Sequence, residues 1–227
     1  MKLSLIGGMT AITCAVTYLI GFAFILTILA PLGFGTNDVD STTVVSFIAE
    51  KPGILITFNT IIYIINALAL AVLVVALYHR LAHQTPQAAS ITRTLGTIWA
   101  TLVLAAGMLA NVSVERVHAL ASDPEAAAAL WEILHAVELG LGGGNEIAGG
   151  VWILSASIAA LSTQTFTRFT NWLGILTGFS GLVTIVPALG EITGAIFGLG
   201  GIAWFVSVGA ELLRSPSAIK QTTDQHH

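Results

Sequence analysis

Residues 53–78 read GILITFNTIIYIINALALAVLVVALY, a run of 26 residues without a charged side chain. About 20 apolar residues are enough to cross the hydrocarbon core of a bilayer as an α-helix. Mostly apolar runs of similar length recur along the chain on both sides of this one. Together they predict six membrane-spanning helices, at about 5–30, 53–78, 92–114, 131–162, 171–188 and 191–213.

The composition also indicates an all-α, polytopic membrane protein. Hydrophobic residues make up 55% of the 227-residue chain and charged residues only 9%, with a mean hydropathy of +0.88. A soluble domain has about a quarter of its residues charged. The net charge of −4, without a basic cluster, argues against nucleic acid as a partner. We therefore expect one transmembrane domain over 1–214, in contact with the lipid bilayer, and a polar tail over 215–227.

The two ends of the predicted spans differ in charge. Threading the spans in and out of a bilayer places ten of the twelve carboxylates at one end and six of the eight Lys and Arg residues at the other. Basic residues mark cytoplasmic loops. The acidic end should therefore face outward from an inner membrane, with both termini in the cytoplasm. The six basic residues are Lys2, Arg80, Arg93, Arg168, Arg214 and Lys220.

Polar side chains inside the predicted spans gather toward the acidic end, and Glu146 is the strongest functional candidate. It lies sixteen residues from Ser162, which begins the cytoplasmic loop after span four. That separation is about 24 Å along a helix, within a hydrocarbon core about 30 Å thick. A charged group there is costly and marks a candidate functional site, so Glu146 should have a polar partner, a proton role or access to water. The candidate ligand or proton residues are Glu146, Asn145, Asn66, Asn111 and Glu191.

Glycine is concentrated beside Glu146, with five glycines in the nine residues 142–150. Each weakens a helix by about 1 kcal/mol relative to alanine, so this segment is predicted to bend or to form a cavity wall. The pairs Gly174/Gly178 and Gly194/Gly198 have the spacing that lets membrane helices approach closely. The same faces could pack the chain into a homo-oligomer or a larger membrane complex.

A second set of candidate residues has metal-ligand chemistry. Glu115 and His118 share one face of span three, because they are three residues apart. His135 and Glu138 share one face of span four for the same reason. Histidines and carboxylates on facing helices form the metal sites of helix bundles, so a divalent ion such as zinc or iron, or a haem, could bind here. Interfacial salt bridges and hydrogen bonds explain the same residues without a cofactor.

The second half of the chain resembles a known family. Residues 150–161 read GVWILSASIAAL, residues 172–182 read WLGILTGFSGL, and the short loop between them carries Arg168. This pattern, with GAELLR at 209–214, resembles the bacterial six-span membrane proteins of the DUF4386 type. The resemblance covers about residues 50–214. It implies a topology and no catalytic residues, because that family has no established activity.

Three functions are compatible with these features. The first is a binding protein or carrier with an outward-facing polar pocket, in which Glu146 couples a small molecule or cation to proton movement. The second is a membrane-embedded metalloenzyme that uses the Glu and His residues of spans three and four. The third is an accessory subunit of a larger membrane complex. The motifs of common hydrolases and nucleotide-binding enzymes do not occur in the sequence.

Overall fold

The computed structural model describes residues 3–34, 39–143 and 146–214, which form helices joined by short turns, with no strand among them. The predicted tail and Asn145 lie outside these residues. A π-helical turn at Thr60–Ile65 joins α3 to α4, and another at Ile25–Leu29 extends α1. The helices are α1 (Leu3–Phe24), α2 (Ser41–Glu50), α3 (Pro52–Asn59), α4 (Asn66–Leu81), α5 (Pro86–Ala119), α6 (Pro124–Glu138), α7 (Ile147–Thr163), α8 (Arg168–Val183) and α9 (Pro187–Arg214).

Several helices have the length and composition of membrane spans, so the chain is an all-helical, polytopic membrane protein. Five helical stretches meet both conditions: Leu3–Leu32, Pro52–Leu81, Pro86–Ala119, Pro124–Thr163 and Ala188–Arg214. The helix in the region of the predicted span 171–188 is α8. Its 16 residues correspond to about 24 Å, less than the thickness of the hydrocarbon core, which is about 30 Å. The sixth span therefore stays a prediction.

Two helix boundaries differ from those predicted. α5 has 34 residues and extends beyond 92–114 in both directions, beginning at Pro86. The predicted spans 171–188 and 191–213 place the turn between the last two helices at 189–190, but the turn lies at 184–186 and Pro187 begins α9. Proline favours the first turn of a helix, where its missing N–H donor has no partner to lose.

The helices form a bundle around two apolar clusters. α1 packs on α4 and α9, α5 packs on α4, α6 and α7, and α8 packs on both α7 and α9. The larger cluster contains the buried rings of Trp99, Trp152 and Trp204. The smaller cluster lies beneath α2 and contains Ile48 and Trp131. α2 therefore covers this smaller cluster.

Glycine permits a close contact between α7 and α8. A Cβ atom at Gly178 would lie 2.6 Å from the carbonyl oxygen of Gly150, and one at Gly150 would lie 2.7 Å from that of Gly178. Only residues without a Cβ allow α7 and α8 to approach this closely. Gly194 on α9 differs, because a Cβ there would meet no heavy atom within 4 Å. That position borders open space rather than a neighbouring helix.

Candidate functional site

The helical path of predicted span 131–162 is interrupted beside its glycines. α6 ends at Glu138, a π-helical turn follows, and Gly142 has φ 122°. Residues other than glycine rarely adopt this backbone conformation. Glu146 directly precedes the first residue of α7, and its backbone N–H donates a 3.2 Å hydrogen bond to Thr184 Oγ1. The break therefore holds Glu146 at a helix start, fastened to the turn before α9.

A cavity of about 1030 Å³ adjoins this break. Its wall is formed by α1, the helical stretch from α3 to α4, α5, α6 and α9. Gly140, Gly142 and Glu146 contribute to it from the break itself. The wall is rich in aromatic rings, which are those of Tyr18, Phe22, Phe34, Phe58, Tyr63, Trp99, Trp131 and His135.

The charged side chains on the cavity wall are acidic. Three carboxylates line it, those of Glu132, Glu138 and Glu146, and no lysine or arginine of the described ranges does so. Glu132 is exposed and lies at the rim, whereas Glu138 and Glu146 are partly buried. The electrostatic potential inside the cavity is therefore set by negative groups, and low-dielectric walls strengthen their effect.

Glu138 is held by two neighbours. The Tyr63 hydroxyl donates a 2.9 Å hydrogen bond to Oε1, and Nδ1 of His135 lies 3.1 Å from Oε2. The His135 ring also stacks on Trp131, with 4.4 Å between ring centroids. This carboxylate is therefore part of a fixed polar network that joins α6 to the helical stretch following α3.

Glu132 connects the rim of the cavity to α2. Its Oε1 accepts a 2.7 Å hydrogen bond from the Ser41 hydroxyl, in the first turn of α2. Asp40 caps the same turn by accepting hydrogen bonds from Thr43 and Thr42. These hydrogen bonds, chiefly those from the Thr43 and Thr42 hydroxyls, lower the pKa of the Asp40 carboxyl below its ordinary value. The N-terminus of α2 is thus fixed at the mouth of the site.

Glu146 and Asn59 differ from these paired groups. Within the described part of the chain, the Glu146 carboxylate makes no hydrogen bond. Asn59 is only 7% exposed and lines the cavity, and its amide group also lacks a hydrogen bond to any described residue. Buried polar side chains are normally satisfied by protein or water. The side chains of Glu146 and Asn59 are therefore available to form hydrogen bonds with a molecule inside the cavity.

Asn66 contributes a third free group. Its Nδ2 donates to Thr17 Oγ1 at 2.7 Å and lies 3.5 Å from the Cys14 carbonyl oxygen. The side chain lines the cavity and is 1% exposed. Nδ2 is already hydrogen-bonded to α1. Oδ1 can therefore accept a hydrogen bond from a molecule in the cavity.

Comparison with known proteins identifies the family of this chain. A family model described as "Domain of unknown function (DUF4386)" matches residues 6–216. The chain belongs to the DUF4386 family. No curated protein and no solved structure matches it. Function must therefore be argued from the cavity itself.

The structure of this DUF4386 protein brings only some of the predicted ligand or proton residues together. Glu146 and Asn66 both line the cavity. Asn111 does not, because its Nδ2 donates to Thr60 Oγ1 at 3.2 Å across the α5 interface. Glu191 is exposed in the first turns of α9 and is also not part of the wall. Asn145 lies outside the described residues.

The predicted metal-ligand residues are divided between two places. His135 and Glu138 line the cavity, whereas Glu115 and His118 do not. Nδ1 of His118 lies 3.2 Å from the Ile48 carbonyl oxygen of α2. Among the residues described here, no group of three or more His, Cys, Asp or Glu side chains could hold a metal ion. Metal and haem binding remain untested predictions.

The candidates chosen from the sequence omitted Tyr63, a residue of the cavity wall that the spacing of its polar neighbours could have found. Asn59, Tyr63 and Asn66 follow one another at steps of four and three, the spacing of a single helical face. All three line the cavity. The other aromatic residues of the wall had no comparable signal in the sequence, because exposed aromatic side chains also occur away from the cavity, for example Trp172 on α8.

Proposed function

We propose that this DUF4386 protein binds a small molecule in the cavity and carries it at the membrane, with Glu146 as the coupling residue. One observation carries this proposal. The Glu146 carboxylate lines a large cavity at a helix break and has no hydrogen-bond partner within the described ranges. Ionisable groups inside membranes are costly and mark ligand or ion pathways.

The dimensions and chemistry of the cavity support binding of a small organic molecule. Sites for such ligands have volumes of about 300–1,000 Å³, apolar walls and a few polar groups that fix orientation. This cavity has a volume of about 1030 Å³ and combines aromatic walls with Asn59, Asn66 and Glu146. A metal ion alone would leave most of this space without contacts.

The interrupted helix supports a carrier rather than a purely structural role. Non-helical backbone at membrane depth is tolerated where it is buried in protein or lines a cavity, and discontinuous helices form the substrate sites of many transporters. Gly140 and Gly142 line the cavity, and a Cβ at either would meet no atom within 4 Å. The backbone at these positions is thus open to a ligand.

The proposed carrier lies in the inner membrane with both termini in the cytoplasm. The support is the excess of basic residues at the opposite end from the acidic rim. In this orientation Glu132 and α2 lie at the outer face, and the ligand enters the cavity from outside. Glu146 would exchange a proton for the ligand, because either can compensate its negative charge.

Intrinsic fluorescence of Trp99 and Trp131, which line the cavity, tests this proposal. Full-length protein in lipid nanodiscs would be screened against a library of small molecules, with thermal unfolding as a second measurement. Gly194→Leu should abolish binding. The position lies on the cavity wall and has open space beside it, so a leucine side chain would fill part of the cavity without displacing protein atoms. Gly53→Leu is the matched control, because Gly53 is exposed, lies outside the cavity and has no atom within 4 Å of its Cβ position. The proposal would be contradicted if the screen found no compound that binds the unaltered protein and fails to bind the Gly194→Leu variant.

A further inference from the structure

We propose that the ligand is an organic cation, a protonated or quaternary amine with an apolar body, held between the Glu146 carboxylate and the aromatic wall. This inference rests on the proposed function and names its ligand class. It follows from the charge, the hydrogen-bonding capacity and the rings of the cavity.

The charge of the wall excludes an anionic ligand. Three carboxylates face the cavity, and no lysine or arginine of the described chain does. His135 is the described wall residue that a proton would make cationic, and its Nδ1 is already paired with Glu138. A protonated His135 offsets one carboxylate at most, so the remaining charge is negative and attracts cations.

When it is ionised, Glu146 needs a positive partner that the described protein does not supply. The titratable side chains in electrostatic range of its carboxylate include Tyr18 of α1 and Tyr63 of the helical turn after α3, and neither becomes a cation. Leaving a buried carboxylate without a counter-charge is strongly unfavourable. A bound cation provides that counter-charge directly.

The free hydrogen-bonding groups of the wall favour a ligand that brings donors. Oδ1 of Asn66 is an acceptor, since its amide nitrogen is already used by Thr17. When it is ionised, the Glu146 carboxylate can accept hydrogen bonds but cannot donate one. A protonated amine carries N–H groups that satisfy both. A quaternary amine has no N–H group, so it compensates the charge of Glu146 but leaves Oδ1 of Asn66 without a donor, and a ligand with only acceptors leaves both groups unpaired.

The aromatic wall and the volume indicate an organic rather than an inorganic cation. Tyr18 and Tyr63 are in electrostatic range of Glu146 and line the same cavity. Aromatic faces attract ammonium groups, and such cages recognise quaternary amines. Among the described residues, no group of three or more His, Cys, Asp or Glu side chains is placed to hold a metal ion. A cavity of about 1030 Å³ can instead enclose an organic body.

Three probes of nearly the same shape and different charge test this inference. They are benzyltrimethylammonium (a cation), neopentylbenzene (its neutral carbon isostere) and phenylmethanesulfonate (an anion). Binding to full-length protein in nanodiscs would be measured by calorimetry and tryptophan fluorescence, with empty nanodiscs subtracted. Binding of sodium, potassium and zinc salts would be measured in separate experiments.

The ammonium probe should bind at least about tenfold more tightly than the neutral isostere, and the sulfonate should bind least. Glu146→Gln should weaken ammonium binding by at least about tenfold and leave the neutral probe unchanged. Glu146→Asp keeps the charge and should retain more affinity than Glu146→Gln. If Glu146→Gln does not yield monodisperse protein, the three probes on the unaltered chain and Glu146→Asp still decide the outcome.

The outcomes separate this inference from the function on which it rests. Equal or tighter binding of the neutral probe, blocked by Gly194→Leu, overturns the cation inference and leaves the small-molecule cavity standing. Binding of the sulfonate or of an inorganic ion alone overturns it as well. If none of the probes binds and the library screen finds no compound sensitive to Gly194→Leu, both proposals are overturned.

Discussion

The Tyr63 hydroxyl donates a 2.9 Å hydrogen bond to the Glu138 carboxylate, across a separation of 75 residues in the sequence. This contact joins the π-helical turn after α3 to the last residue of α6, immediately before the glycine-rich break. It fixes one end of the interrupted span while Glu146 begins the other. The carboxylates on the two sides of the break therefore differ: that of Glu138 is hydrogen-bonded to Tyr63, and that of Glu146 has no hydrogen bond within the described residues.

Tyr63→Phe should destabilise the protein, because it removes the hydroxyl that satisfies Glu138 in a partly buried position. A hydrogen bond to a charged group contributes about 1.5–3 kcal/mol. Tyr18→Phe is the matched control, since Tyr18 lines the same cavity and its hydroxyl has no hydrogen bond to any described residue. Thermal unfolding in nanodiscs would measure both. Equal melting temperatures for the two variants would contradict the role assigned to Tyr63.

Gly178→Ala should separate α7 from α8. The added Cβ would lie 2.6 Å from the Gly150 carbonyl oxygen, and backbone atoms cannot move aside without a shift of the whole helix. Overpacking of this kind costs about 1–3 kcal/mol. Gly201→Ala is the control, because the new Cβ meets no atom within 4 Å and alanine favours a helix by about 1 kcal/mol. If Gly178→Ala melts no lower than Gly201→Ala, the close crossing is not required.

Asp40→Ala should loosen α2, since Asp40 accepts the hydrogen bonds that cap this helix. Because those hydrogen bonds lower the pKa of Asp40 in the folded protein, its contribution is present above the ordinary pKa and is lost as the pH falls through the lowered value. Hydrogen exchange of residues 41–50 would measure the effect. Protection should differ between the variant and the unaltered protein at neutral pH, and the difference should vanish in strong acid. A difference that is independent of pH would exclude the carboxylate as its cause.

Sequence patterns predicted the helical membrane architecture because the hydrocarbon core imposes a simple rule on length and composition. They predicted boundaries less well. The polar ends of α5 continue the helix outside the apolar region, from Pro86 to Ala119. The spacing of Gly194 and Gly198 suggested a tight crossing, yet Gly194 lies on the cavity wall. Small residues permit close approach, but only the arrangement of the neighbouring helices decides whether it occurs.

The site was predictable in part. Depth along the span identified Glu146 and Asn66, since a polar group in hydrocarbon is costly wherever the helix faces. The pairing of His118 with His135 depended on how α5 and α6 are rotated and on what lies over them. α2 provides the Ile48 carbonyl to His118, and no spacing rule within α5 or α6 could have predicted that contact.

The orientation proposed above predicts which loops are accessible from outside the cell. Ser46→Cys, on an exposed position of α2, should react with an impermeant thiol reagent in intact cells. Gln87→Cys, in the first turn of α5, should react only after the membrane is opened. The native Cys14 is buried and serves as an internal negative control. Labelling of Gln87→Cys alone in intact cells would reverse the proposed orientation.

Glu211 provides the comparison that tests whether Glu146 is structural. Its carboxylate accepts hydrogen bonds from the Thr167 backbone and hydroxyl and from the Thr170 hydroxyl, which fastens the start of α8 to α9. Glu211→Ala should therefore lower stability by about 1–3 kcal/mol.

Glu146→Gln should leave the melting temperature unchanged or raise it, because the carboxylate has no hydrogen bond to lose within the described residues and its charge is unfavourable at membrane depth. The same substitution should abolish the rise in melting temperature that a ligand causes, because a ligand stabilises the folded protein in proportion to how tightly it binds that state. Thermal unfolding of both variants, with and without a ligand identified by the screen, measures the two effects separately. A Glu146→Gln variant that is as destabilised as Glu211→Ala, and that still responds to ligand, would make Glu146 a structural residue and remove the main support for a carrier.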